Sequence, residues 1–163
     1  MEYVRISLVE LVLFAVGAAL IVAALPRCGG GRQGAPAAVL ASFRLTPGVL
    51  NPQVTQATIG DTICKAGWTR TIRPPTSYTN DLKVKGLVQY HLHGPLSGFQ
   101  EDHLISLELG GNPTDPRNLW PEPYPRAADV DRIENQLNHK VCSGEMTLAE
   151  AQRTESGIKH SQG

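Results

Sequence analysis

Net charge is the first thing this sequence lacks. Its 163 residues carry 15 lysines and arginines against 15 aspartates and glutamates, so no global cationic field draws the molecule to a polyanion. Any contact with nucleic acid must rest on a local patch. Internal repeats are missing too, and the length suits one ordinary domain but is short for two. Cysteine is scarce. Of the three, Cys28 follows Leu25-Pro26-Arg27, which lacks the small residues of a lipid-attachment box. That leaves Cys64 and Cys142 for the folded part, and at most one bridge.

What is present divides the chain. Residues 11–25, LVLFAVGAALIVAAL, hold no charge or strong polar group over fifteen positions. That is short for a spanning helix, which needs about 20 residues, and suits the apolar core of a signal peptide. The run is apolar all round rather than striped, which argues against a helix packed on the domain. Residues 1–25 are thus expected to be an export signal or membrane anchor, so the protein is secreted or membrane-anchored. Residues 26–45, rich in Gly, Ala and Pro, read as a flexible linker. The folded domain is expected over 46–156, with a disordered tail at 157–163. The hydrophobic share of 41% and charged share of 18% are globular values, although the N-terminus inflates the first.

Within that domain the charges segregate. Between residues 65 and 85, five bases (Lys65, Arg70, Arg73, Lys83, Lys85) face one acid, Asp81. Between 100 and 122, five acids (Glu101, Asp102, Glu108, Asp115, Glu122) face one base, Arg117. A basic segment beside an acidic one suits a phosphate-gripping surface next to a cation site, or two solvated loops of opposite sign. Residues 54–68 suggest loops and one short strand. Arg73-Pro74-Pro75 is a rigid extended turn. Residues 80–93 fit a helix or a strand, and the His91/His93 pair within them is read as surface loop. Residues 103–109 alternate as a strand would. Residues 127–141 carry one apolar stripe (Val130, Ile133, Leu137, Val141) that predicts a helix, closed at Ser143-Gly144. Thr147-Leu148-Ala149-Glu150 is a capping box opening a second, shorter helix.

The most informative stretch is residues 100–121, QEDHLISLELGGNPTDPRNLWP. An Asp-His pair opens an apolar run, Gly110-Gly111 turns the chain, and it returns through Asn118-Leu119-Trp120-Pro121. A hairpin with this spacing brings acid, imidazole and amide around one divalent ion. This pattern resembles the HNH endonuclease family, whose ββα-metal fold is built on DH…GG…NL. The resemblance implies an α+β protein with a small ββα-metal core and flanking loops and helices. It also implies Asp102 as metal ligand, His103 as general base, and Asn118 either pinning the loop beneath the histidine or giving an oxygen to the ion. The family's second histidine, on the helix, has no counterpart: the next one, His139, lies twenty-one residues beyond Asn118. Asp131 and Glu134, three apart on one helical face, offer hard oxygen ligands in its stead, with Asp129 a further option.

Such a site implies metal-dependent hydrolysis of phosphodiester bonds in DNA, with RNA as a second substrate and little sequence specificity. The ion would be Mg²⁺, with Mn²⁺ or Zn²⁺ as alternatives. Lys65, Arg70, Arg73, Lys83 and Lys85 would grip the nucleic-acid backbone. The rival expectation is a non-catalytic HNH-like binding or structural module tethered at the cell envelope. Export would let Cys64 and Cys142 close a disulfide; in the cytosol the same pair would be two buried small hydrophobes.

Overall fold

Two prolines in a row, Pro74 and Pro75, set where the first long helix begins. The computed structural model describes residues 38–162, all within one compact unit spanning Ala37–Gly163. Pro75 is extended (φ −60°, ψ 146°), and after it the chain coils into a helix at Thr76–Gln89, called α2. A short helix α1, Trp68–Ile72, precedes it. The segment read as helix or strand is therefore helix, starting four residues earlier than expected.

Strand β1 (Phe99–His103) pairs antiparallel with β2 (Leu119–Pro123), with Asp102 opposite Trp120 and His103 opposite Leu119. The strand expected at residues 103–109 is corrected: β1 ends where that strand was to begin. Leu107–Leu109 is a 3-10 turn with Leu107 and Leu109 buried. Alternation misled here because nearly every residue from Asp102 to Gly111 is buried, so neither face of the run is solvated. The short strand expected within residues 54–68 does not form either; Ile59–Asp61 is a 3-10 turn.

A two-stranded sheet is marginal alone. This one packs against α2 and against α3, Arg126–Cys142. The predicted stripe of α3 faces inward: Val130, Leu137 and Val141 are buried and Ile133 packs against them. Helix α4, Leu148–Ser161, opens with the capping box in both directions, Glu150 N–H donating to Thr147 Oγ1 (3.3 Å) and Thr147 N–H to Glu150 Oε2 (2.9 Å). Val54, Ile63, Ile105, Leu109, Leu137, Val141, Leu148 and Ala151 form the main core. A smaller one gathers Ala41, Leu104 and Trp120.

Both expected ends of the domain move outward. Helix α4 runs through residues 157–161, where a disordered tail was expected, and buries Lys159 and His160. Residues 38–46, placed mostly in the linker, wrap over that end. Ala41 N–H donates to the Lys159 carbonyl (3.0 Å), His160 Nε2 to the Thr46 carbonyl (3.1 Å), and Phe43 stacks on the His160 ring. The apolar run at residues 11–25 lies outside the described residues. Among those described, no helix is long and apolar enough to cross a membrane.

Cys64 and Cys142 form a disulfide, Cα atoms 5.5 Å apart, that joins the loop before α1 to the end of α3 across 78 residues of sequence. It is compatible with an extracytoplasmic location. Closing a loop of that length should be worth about 2–4 kcal/mol, mainly by restricting the unfolded chain. Urea unfolding with and without reductant checks this: the reduced form should unfold at lower denaturant, and coincident midpoints refute it.

Candidate metal centre

The site is assembled by a loop that is held open from within. Between β1 and β2 the chain must turn sharply, and Gly110 does so in the left-handed region (φ +79°). At Gly111 the backbone approaches so closely that a Cβ would lie 1.7 Å from the Ile105 carbonyl oxygen, so no side chain fits there. Asn118, fully buried, fills the centre of the loop. Its Oδ1 accepts from Ile105 N–H (3.0 Å), while Nδ2 donates to the carbonyls of Ile105 and Asn112 (3.0 Å each). Of the two roles open to Asn118, the geometry is that of loop pinning. Its amide touches backbone only and is a positioning group rather than a catalytic one.

The pinned loop fixes the imidazole. His103 ends β1, is buried, and places Nε2 3.1 Å from the Pro113 carbonyl oxygen. A carbonyl can only accept, so the ring proton sits on Nε2 and Nδ1 keeps its lone pair. Burial lowers the pKa of His103 from its usual 6.5, and the nearby Lys159 and Arg73 cations push the same way against the Pro113 carbonyl and Asp102.

Next to it lies an acid cluster. Asp102, Asp131 and Glu134 each offer a carboxylate oxygen within 4.8 Å of the others. Helix α3 supplies Asp131 and Glu134, three apart, because the stripe that buries Val130 and Leu137 turns this flank towards β1. Gln100, on β1 two residues before Asp102, donates from Nε2 to Asp131 Oδ1 (3.2 Å) and Asp102 Oδ1 (3.4 Å). These residues line a cleft of about 50 Å³ together with Arg73, His103, Ser106, Leu107 and Glu108. That volume admits an ion or a water, not a nucleotide.

One cation sits within the cluster. Lys159, wholly buried, reaches in from α4 to Asp102 Oδ2 (2.6 Å), Glu134 Oε1 (2.7 Å), Glu155 Oε1 (3.4 Å) and the His103 carbonyl. Burial opposes ionisation of Asp102, but the Lys159 ammonium outweighs it and holds this carboxyl below the usual range. The others go the opposite way. Burial, reinforced by Asp102, pushes Glu122 up to about 8. It raises Glu134 and Glu155 as well, despite Lys159. The carboxyls outnumber the one ammonium and lean on one another, Glu122 on Asp102 and Glu134 on Glu155.

The structure thus brings together Asp102, His103, Asp131 and Glu134. The five bases stand in different surroundings. Arg73, exposed, is at the cleft. Lys65 lines a separate pocket beside the disulfide, and Lys85 another beside Tyr90. Lys83 donates to the Phe99 carbonyl (3.1 Å), and Arg70 is exposed on α1. Sequence reasoning missed Lys159, Glu155 and Gln100. Glu155 and Lys159 are four apart on a capped helix, a spacing visible in the sequence but one that ordinarily signals an exposed pair. Comparison with protein-family models, curated proteins and solved structures finds no match to the chain.

Proposed function

We propose that the chain is a metal-dependent endonuclease with an HNH-like ββα-metal core, hydrolysing phosphodiester bonds of DNA or RNA with little sequence selectivity. The observation that supports this reading is the meeting of a neutral-leaning imidazole, His103, with three carboxylates from two elements in one small cleft. The donor set fits a hard divalent ion such as Mg²⁺. All three ligand groups are carboxylates, and Lys159 takes Asp102 Oδ2 and Glu134 Oε1, leaving Asp102 Oδ1 turned towards Asp131 and Gln100. Asp102, Asp131 and Glu134 would hold the ion, which when bound supplies Lewis-acid stabilisation of charge on the phosphate and the departing oxygen.

The chain's own groups do the rest. His103 takes a proton from water at Nδ1, because Nε2 is engaged by Pro113. Asn118 keeps that loop, and so the ring, in place. Arg73 at the rim binds the phosphodiester, which must lie across the mouth because the cleft is too small to admit a nucleotide. An exported enzyme would meet nucleic acid outside the cytoplasm, with the N-terminal segment as its membrane link where it is retained.

The test is relaxation of supercoiled plasmid by the purified protein with Mg²⁺ or Mn²⁺, against the same reaction in chelator. Nicking should appear with the ion and vanish without it. Cleavage no faster than buffer with either ion sinks the reading. One observation favours the rival, a non-catalytic module: Lys159 already gives the cluster a cation. That rival expects no cleavage and a melting temperature indifferent to metal.

A further inference from the structure

We infer that Lys159 is a built-in counter-ion for the metal centre, a positioning residue that keeps the acid cluster assembled without a divalent ion and holds the affinity for that ion down. This rests on the reading of Asp102, Asp131 and Glu134 as metal ligands, and it concerns a residue outside that ligand set.

Three observations carry it. First, the ammonium is fully desolvated, and its acceptors include one oxygen from each of two candidate ligands, Asp102 and Glu134. A buried cation in that position stands where part of a divalent ion's charge would act. Second, the ammonium is held there by the fold. Its backbone carbonyl accepts from Ala41 N–H, and the next residue, His160, is tied to Thr46 and stacked on Phe43. Among the described residues, no other cation forms an ion pair with the cluster. Third, the carboxyls outnumber the ammonium: Asp102, Glu134 and Glu155 share it, and Asp131 stands beside them. A second cation is therefore attracted by the acids and repelled by Lys159 at close range. That repulsion is strong in a poorly hydrated site.

The two cations are thus partly interchangeable, which a purely structural lysine would not be. The same contacts orient the ligands. By holding Asp102 Oδ2 and Glu134 Oε1, Lys159 turns Asp102 Oδ1 towards Asp131, much as outer hydrogen-bond partners orient the ligands of metal sites.

The experiment compares the full-length wild type with Lys159→Met, which keeps the stem and removes the charge. Mn²⁺ affinity is measured by calorimetry, and melting temperature with Mn²⁺ and with chelator. The variant should bind Mn²⁺ more tightly by about tenfold or more. It should also melt lower than wild type in chelator and recover most of the loss when Mn²⁺ is added. If the variant needs the ion to fold, Mn²⁺-induced folding counts as support. The double variant Lys159→Met/Glu155→Gln, which removes a cation and an anion together, is the background that should fold without metal.

The outcomes separate the claims. If wild type binds Mn²⁺ and Lys159→Met binds it equally or more weakly, the counter-ion role is overturned while the metal centre stands. If only the variant binds, the counter-ion role stands and the wild type is not a metal enzyme. If neither binds, both ideas fall. Failure of both variants to fold in Mn²⁺ overturns the inference, because a divalent ion should then replace the ammonium.

Discussion

Replacing His103 with alanine should slow metal-dependent plasmid nicking by about 10²- to 10⁴-fold, the range for loss of a general base. The expectation follows from the ring's surroundings. Pro113 fixes the proton on Nε2, which leaves one nitrogen to act, and no other imidazole lines the cleft. Stability should fall by only about 1–3 kcal/mol, the cost of truncating one buried side chain, so the circular dichroism spectrum should stay native. The pH profile is a second readout. A base must be neutral to work, and burial first, then Lys159 and Arg73, lower the His103 pKa from 6.5. Protonation is therefore delayed as the pH falls. With the ion saturating at every pH, so that the raised Glu134 stays ionised against it, activity should be flat through neutrality, with its acid limb below 6.5. An acid limb at or above that value, or equal rates for wild type and variant, removes His103 from the mechanism.

Asn118→Ala should be strongly destabilising, costing about 3–5 kcal/mol. Four hydrogen bonds to backbone are lost together: from Ile105 N–H and Val49 N–H, and to the carbonyls of Ile105 and Asn112. Water cannot readily replace the amide, because Asn118 is fully buried and the neighbouring turn leaves no room at Gly111. The loop from β1 to β2 should lose its shape, and with it the carbonyl of Pro113 that orients His103. Urea unfolding monitored by tryptophan fluorescence checks the magnitude, since Trp120 lies opposite Asp102 in the sheet. A loss below about 1 kcal/mol would mean that the asparagine is a passenger.

Much of this centre could be read in advance, for local reasons. Asp131 and Glu134 lie on one flank of α3 by helical spacing alone, and the stripe of Val130, Leu137 and Val141 says which flank turns inward. The capping box at Thr147 is likewise a matter of neighbouring residues. Residues 103–109 were misleading because alternation reports a half-buried strand, and this stretch is buried on every side. The tail was misjudged for a related reason. Residues 157–161 carry few apolar groups, yet the helix is continued by what packs on it from residues 38–46.

By itself, then, the sequence determined the hairpin's chemical cast, the inward flank of α3, the cap of α4 and the two cysteines available to pair. These depend on periods of two and 3.6 residues and on turn chemistry, which act over a few positions. Tertiary structure decided that Cys64 does meet Cys142, the pair the sequence had already singled out, that Asn118 binds backbone, and that Lys159 enters the acid cluster. Those contacts join residues 78, 13 and 57 apart in the chain. Burial turns an ordinary lysine into a centre's counter-ion, and burial belongs to the whole fold.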